Sequence, residues 1–374
     1  MAGERAGAHG LDPERLAVAD RHVREGLEAG VYGAAVLLVA RGGHTAHRSA
    51  FGETSPGCPA TANTVFDLAS LTKPVVATAL LTLIEDGALF LHQAVEDLLP
   101  EAAGAPCGGL LVRDLATHVS GLPAWRPLHA RGRGPRVILE AIYETPLQRG
   151  AGVRYEYSDL GYILLGEIAG RLGGEGGLSG LVERRVLAPL DMGSTGYLPA
   201  AERRRRIAPT AHCPMRPGET LVGEVHDANC HAAGGVTGHA GLFGTAGDLG
   251  RLGSALILGG TYRGRRLLGL PAVRRACASQ IDPVVGGQTI GWFAAPNPML
   301  PRGDLLGDSA FGHTGFTGTM VVCDPVLDLV LVLLTNRVVM PGDNGGIQRV
   351  RRRVCNAVAS AVVARARVPG RRVQ

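Results

Sequence analysis

GTMVVCDPVLDLVLVLLTNR, residues 318–337, carries two apolar runs either side of the corner DPVLD. Runs of Val and Leu bounded by Pro and Asp read as an antiparallel hairpin. YGAAVLLVARGGHTAHRSAFG, residues 32–52, reads the same way, with RGG as its joint. A lone hairpin cannot bury both faces, so the two hairpins are expected to join into one antiparallel sheet. Each comes with a helix. Between Asp12 and Ala29, Leu16, Val23 and Leu27 recur at helical spacing and Gly30 stops the run. After the second hairpin, Ile347, Val350, Val354, Val358 and Ala361 step by three and four, with arginines expected to face solvent. The reading is an α/β protein of the α+β kind. Residues 11–66 and 244–368 form the sheet domain, flanked by helices. Residues 67–243 form a mostly helical insertion, with helices over 73–86, 136–143, 158–172 and 178–187 between Gly- and Pro-rich loops. Residues 1–10 and 369–374 are expected to be flexible tails.

The chain has 374 residues, is 45% hydrophobic, and so is long and apolar enough to bury a substantial core. Net charge is +5, and arginines cluster at Arg203–Arg206 and Arg351–Arg353. Aromatic residues are only 4% of the chain and no nucleic-acid module is present, so these runs read as solvated faces, with no nucleic-acid partner. The seven cysteines are odd in number and form no C-x-x-C pair, which argues against a disulfide framework or zinc ribbon. MAGERAGAHGLDPERL has no apolar run, and no stretch of eighteen apolar residues occurs. The expectation is a cytoplasmic protein without a membrane span.

The chemistry begins at SLTK, residues 70–73. Of 38 Lys plus Arg only Lys73 is lysine, leaving 38 − 1 = 37 arginines. Arginine stays protonated at any attainable pH, whereas a buried lysine can become a neutral base. In FDLASLTKPVVATALLTLIEDG, residues 66–87, a helix opens at or just before Ser70, with Pro74 in its first turn and Gly87 after its end. Ser70 and Lys73, spaced i and i+3, share a helix face. Free amides at the helix start favour a neutral Lys73 and an anionic Ser70 oxygen. A serine nucleophile needs such an adjacent base. Tyr157-Ser158-Asp159 reads by itself as a helix start capped by Ser158 or Asp159. His313-Thr314-Gly315 leads into a strand whose small residues suit pairing with an extended substrate.

S-x-x-K, a Y-x-N-like Tyr157-Ser158-Asp159 and a K-T-G-like His313-Thr314-Gly315, in this order, resemble the serine β-lactamase and penicillin-binding-protein superfamily. LATHVSGLPAW (115–125), PLDMGSTGY and GHAGLFGTAGDLGRLG (238–253) place the resemblance in its class C-like branch. The resemblance implies that Ser70 is the acylated nucleophile, with Lys73 and Tyr157 sharing proton transfer. It implies an oxyanion hole at the Ser70 and Phe316 N–H groups, and His313, Thr314 and Gly315 along the substrate. Two departures matter. Asp159 stands where Asn is usual; a carboxylate cannot donate to a substrate carbonyl and instead is expected to hold Lys73 protonated, favouring Tyr157 as the base. His313 replaces the usual Lys and recognises a carboxylate only if protonated. Both weaken a β-lactamase reading and favour a small ester or amide substrate. D-alanyl-D-alanine carboxypeptidase and β-lactamase remain alternatives, and an inert penicillin-binding-fold sensor or scaffold is the alternative outside enzymes.

Two rivals fall. His226, Asp227, Cys230, His231 and His239 cluster in sequence but lack H-E-x-x-H and sit among glycines, so no metal site and no cofactor are expected. No G-x-S-x-G occurs, which excludes an α/β-hydrolase elbow.

Overall fold

The computed structural model describes residues 6–213, 215–341 and 345–363. The two ends of the chain meet in one antiparallel sheet. Its strands are β1 (Ala34–Arg41), β2 (His44–Ser55), β3 (Cys58–Pro59), β4 (Phe293–Ala294), β5 (Phe311–Thr314), β6 (Met320–Asp324) and β7 (Leu329–Thr335). Their spatial order is β4-β5-β6-β7-β1-β2-β3. The seam is β7 against β1, where Ala35 faces Thr335 and Arg41 faces Leu329. These central strands are buried on both faces, which is why both read as continuous apolar runs rather than alternating ones.

Five longer helices complete the frame: α1 (Pro13–Glu28), α2 (Thr72–Glu85), α3 (Asp159–Leu172), α4 (Ala246–Ile257) and α5 (Gly346–Ser360). Asp12 caps α1, its carboxylate accepting from the Glu14 N–H at 2.8 Å. Successive side chains of β1 point to opposite faces. Leu37 and Val39 pack with Leu16, Val23, Val354 and Val358 of α1 and α5. Val36 and Leu38 turn to the other face, toward Leu249 and Leu252 of α4. That second core continues without a break into α2 and α3, so the helical region shares it with the sheet. Every residue of α2 from Thr72 to Leu83 is buried. A helix apolar on all sides belongs in a protein interior, and α2 runs between sheet and helical region with its N-terminal end at the cleft.

Two expectations are corrected. Residues 6–10 are anchored rather than loose, although Gly7 and Ala8 are exposed: Ala6 is buried, and the Arg41 guanidinium donates to the carbonyls of His9 at 2.9 Å and Gly10 at 2.7 Å. A strand-end arginine in a closed site has to find such acceptors. Residues 1–5 and the expected tail at 369–374 lie outside the described residues. On α5 the arginines do not all face solvent, because Arg351 is only 3% exposed. Among the described residues no helix is long and apolar enough to cross a membrane.

The loop through Gly238 lies directly on α3. A Cβ at residue 238 would collide with the Tyr162 carbonyl oxygen and come 2.8 Å from the Gly166 nitrogen. Both obstacles are backbone, so they cannot rotate away. Gly238→Ala is therefore expected to lower stability by about 1–3 kcal/mol or more, read as a lower urea midpoint at unchanged m-value.

Candidate active site

Ser70 lies in a 3-10 turn, Ala69–Leu71, that leads into α2. Ala69 adopts φ +47, a left-handed conformation that is strained for a residue with a Cβ. Asp67 holds it there, its Oδ1 accepting from the Ala69 N–H at 2.8 Å. One turn on, Lys73 is fully buried. Its Nζ donates to Ser70 Oγ at 2.9 Å and to the His239 carbonyl at 3.3 Å, and forms an ion pair with Asp159 Oδ1 at 2.7 Å. Burial pushes the Lys73 amine below its ordinary range, while Asp159 and then Asp227 oppose that fall.

Ser158 caps α3, its hydroxyl accepting from the Gly161 N–H at 3.4 Å. The cap fixes its neighbours: Tyr157 on one side and Asp159, the first residue of α3, on the other. The Tyr157 ring is walled by His118 at 4.6 Å, Phe293 at 5.7 Å and His313 at 5.9 Å between centroids, and Lys73 Nζ lies 4.7 Å from its centre. Burial, then Asp159, pushes the Tyr157 phenol well above 10, although a hydrogen bond with Ser70 opposes this. Phenolate at neutral pH is correspondingly disfavoured.

The third motif divides. Thr314, Gly315 and Phe316 line the cleft, but His313 is fully buried behind it. Its ring stacks on Phe293 at 4.1 Å, and its Nδ1 lies 2.9 Å from the Thr314 carbonyl, which makes Nδ1 the donor. Burial, reinforced by Lys73, holds His313 well below the usual histidine range. A neutral, enclosed imidazole aimed at Tyr157 is not placed to grip a substrate carboxylate. This corrects the expectation that His313 lies along the substrate.

The turn after Gly315 is fastened to the segment before the nucleophile. Thr317 Oγ1 donates to the Asp67 carbonyl at 2.8 Å, and Thr319 Oγ1 to that of Leu68 at 3.1 Å. Gly315 permits the approach, since a Cβ there would strike Thr319 Oγ1 and stand 2.7 Å from the Leu68 oxygen. Among the described residues, neither the Ser70 N–H nor the Phe316 N–H donates to another protein group. The cleft between these elements encloses about 600 Å³ and is lined by Ser70, Tyr157, Asp159, Asp227, Thr314 and Phe316 among others.

The 226–239 cluster does not converge as a set. His226 Nε2 turns to the Ala211 carbonyl at 3.0 Å, and Cys230 Sγ to that of Ala240 at 3.4 Å. Asp227 and His239 do meet, at 2.9 Å, and with Asp159 their polar atoms lie within 4.8 Å of one another. The Lys73 ammonium already supplies positive charge at this group. Burial alone would raise Asp227, but His239 and the Cys230 N–H hold it at about 2. From sequence, Asp227 and His239 were weighed as metal ligands, and the His239 carbonyl that meets Lys73 carried no signal. Arg351 was missed entirely, because its neighbours in sequence are solvent-facing arginines.

A serine hydroxyl in hydrogen-bond contact with a buried lysine amine, beside a phenol and two free amides, fits the site of a serine hydrolase. Comparison with known proteins gives the family. The sequence model of the Beta-lactamase family matches residues 19–355. A protein of Escherichia coli K12, provisionally named a D-alanyl-D-alanine carboxypeptidase, is 31% identical over 88% of this chain and 83% of its own length. A Bacillus subtilis protein named N-acetylmuramyl-L-alanine amidase is 29% identical over 89% of this chain and 84% of its own. A penicillin-binding-protein homologue from Caulobacter crescentus superposes with a TM-score of 0.73 at 22% identity, covering 94% of this chain and 99% of that one. The chain belongs to the Beta-lactamase family, as a serine hydrolase.

Proposed function

We propose that the enzyme transfers an acyl group from a small ester or amide to water through an ester on Ser70. The observation that carries this is the 2.9 Å contact between Ser70 Oγ and the amine of a fully buried Lys73. In its neutral form, which burial favours against the pull of the Asp159 ion pair, Lys73 takes the Ser70 proton as the oxygen attacks the carbonyl carbon. The Tyr157 phenol relays that proton to the leaving group. The Ser70 and Phe316 N–H groups receive the oxyanion, and Thr314 and Gly315 guide the substrate. Burial and Asp159 raise the Tyr157 phenol, which favours its protonated form at rest, while burial lowers Lys73, and both shifts support Lys73 as the base. This reverses the assignment suggested by Asp159 from sequence. Among amides, D-alanyl peptides and β-lactams are the alternatives to test, the former supported by the name of the Escherichia coli relative. The cysteines of the chain are free thiols, which supports a reducing compartment, the cytoplasm.

The test is a panel of nitrophenyl esters, D-alanyl peptides and a chromogenic cephalosporin, with intact-mass detection of the acyl-enzyme. Turnover of at least one, with the adduct on the Ser70 peptide, supports the reading. An adduct elsewhere, or none across the panel, rejects it.

Asp159→Asn makes the base assignment measurable. The carboxylate raises Lys73 against the effect of burial, so removing it lowers Lys73 further. The acidic limb of kcat/KM, which reports the free enzyme, is expected to move to lower pH. A limb that stays or moves up would mean that Lys73 is not the base.

A further inference from the structure

Arg351 projects from α5 through the fold to the cleft, where only 3% of it is exposed. A guanidinium removed from water needs compensation, commonly a carboxylate. Among the described residues no carboxylate lies within ion-pair distance of Arg351, and its Nε has no partner. Nη2 donates instead to two carbonyls, Gly315 at 3.0 Å and Thr319 at 2.8 Å. The charged neighbour facing it is Arg337, which with burial pushes Arg351 down to about 9. The family reading of the site leaves this arrangement unexplained.

The Gly315 carbonyl gives the explanation. It belongs to the same planar amide as the Phe316 N–H. Its oxygen accepts twice, from Arg351 and from the Gly318 N–H at 3.0 Å. A charged donor on an amide oxygen draws electron density from the nitrogen and makes the N–H a stronger donor. The next carbonyl along, Phe316, is held by Arg337 Nε at 2.6 Å, so the turn is pinned on both sides of that N–H.

We propose that Arg351 is a positioning residue for the oxyanion hole, orienting and polarising the Gly315–Phe316 peptide so that the Phe316 N–H meets the developing oxyanion as a fixed, strengthened donor. The proposal rests on the hydrolase reading above and adds to it an element that lies outside the three motifs.

The experiment compares wild type with Arg351→Met, Arg351→Lys and Arg351→Ala, on a neutral nitrophenyl ester and a neutral boronic acid. The boronate mimics the tetrahedral intermediate and places an oxygen in the hole. Deleting a donor of this kind outright costs ~100-fold or more, so weakening one predicts a ~10- to 100-fold fall in kcat for Arg351→Met. KM should stay within about twofold and boronate affinity should fall with kcat. Arg351→Lys, which keeps a charged donor, should recover part of the loss, and millimolar guanidinium should partly rescue Arg351→Ala. Full kcat in Arg351→Met on the neutral ester, with weakened binding only of carboxylate-bearing compounds, would overturn the proposal and make Arg351 a substrate contact. A fall in kcat without a matching fall in boronate affinity, or without recovery by lysine or guanidinium, would also overturn it and leave a structural role. If wild type itself forms no Ser70 adduct, the hydrolase reading fails first, and the two failures are distinct.

Discussion

Ser70→Ala is expected to abolish labelling by a fluorophosphonate probe and to lower turnover by on the order of 10⁵-fold or more. The change removes one atom, and that atom is the one which forms the covalent ester. The fold has little stake in it. Ser70 lies in a short turn held by other groups: the Ala69 N–H on Asp67, and the Thr317 and Thr319 hydroxyls on the carbonyls of Asp67 and Leu68. Lys73 loses one acceptor but keeps Asp159 at 2.7 Å and the His239 carbonyl at 3.3 Å. The unfolding midpoint should therefore move little while labelling disappears. Labelling that persists in Ser70→Ala at the wild-type rate would place the nucleophile elsewhere.

Lys73→Arg separates a base from a cation. The charge is retained and Asp159 remains in reach, so an exclusively electrostatic lysine would tolerate the change. A guanidinium cannot release its proton at any working pH, so a lysine acting as base would not. Turnover is expected to fall at least ~100-fold, the usual size of a general-base contribution. The site is closed, with Lys73 fully buried, so the bulkier head also strains the packing. That strain is expected to lower stability by about 1–3 kcal/mol, measured separately by thermal unfolding. Raising the pH discriminates further. The neutral fraction of lysine grows with pH and that of arginine does not, so the variant should lack the alkaline rise of the wild type. A near-normal rate in Lys73→Arg would reduce Lys73 to a cation and leave Tyr157 as the base.

Much of the fold and the centre of the site were legible because their signals are local. The paired apolar runs at 32–52 and 318–337 require a sheet partner wherever they lie, and each is the other's partner across β1 and β7. Ser70 and Lys73 are one helical turn apart, so spacing alone predicts the contact found at 2.9 Å. The departure at Asp159 was read as a carboxylate near Lys73, and the structure places it at 2.7 Å. Its consequence for proton transfer turns on burial. The sequence shows which charges are near, but not that enclosure by His118, Phe293 and His313 would drive Tyr157 away from its ionised form.

His313 and Arg351 mark the boundary. A histidine in the place of a lysine reads as a weaker anion receptor until packing shows it stacked on Phe293 at 4.1 Å, behind the cleft and neutral. Arg351 sits among arginines that look alike in the chain, yet its side chain alone of Arg351–Arg353 is buried. The His239 carbonyl reaches Lys73 from 166 residues away, and no periodicity marks a backbone oxygen. Side-chain type and short-range spacing are properties of the chain, and they pointed to Ser70, Lys73 and the sheet that frames them. Burial, and with it the charge each group carries, arises from contacts between distant segments that exclude water together. Which histidine is enclosed, which arginine serves a carbonyl and which carboxylate meets Lys73 are therefore decided by packing.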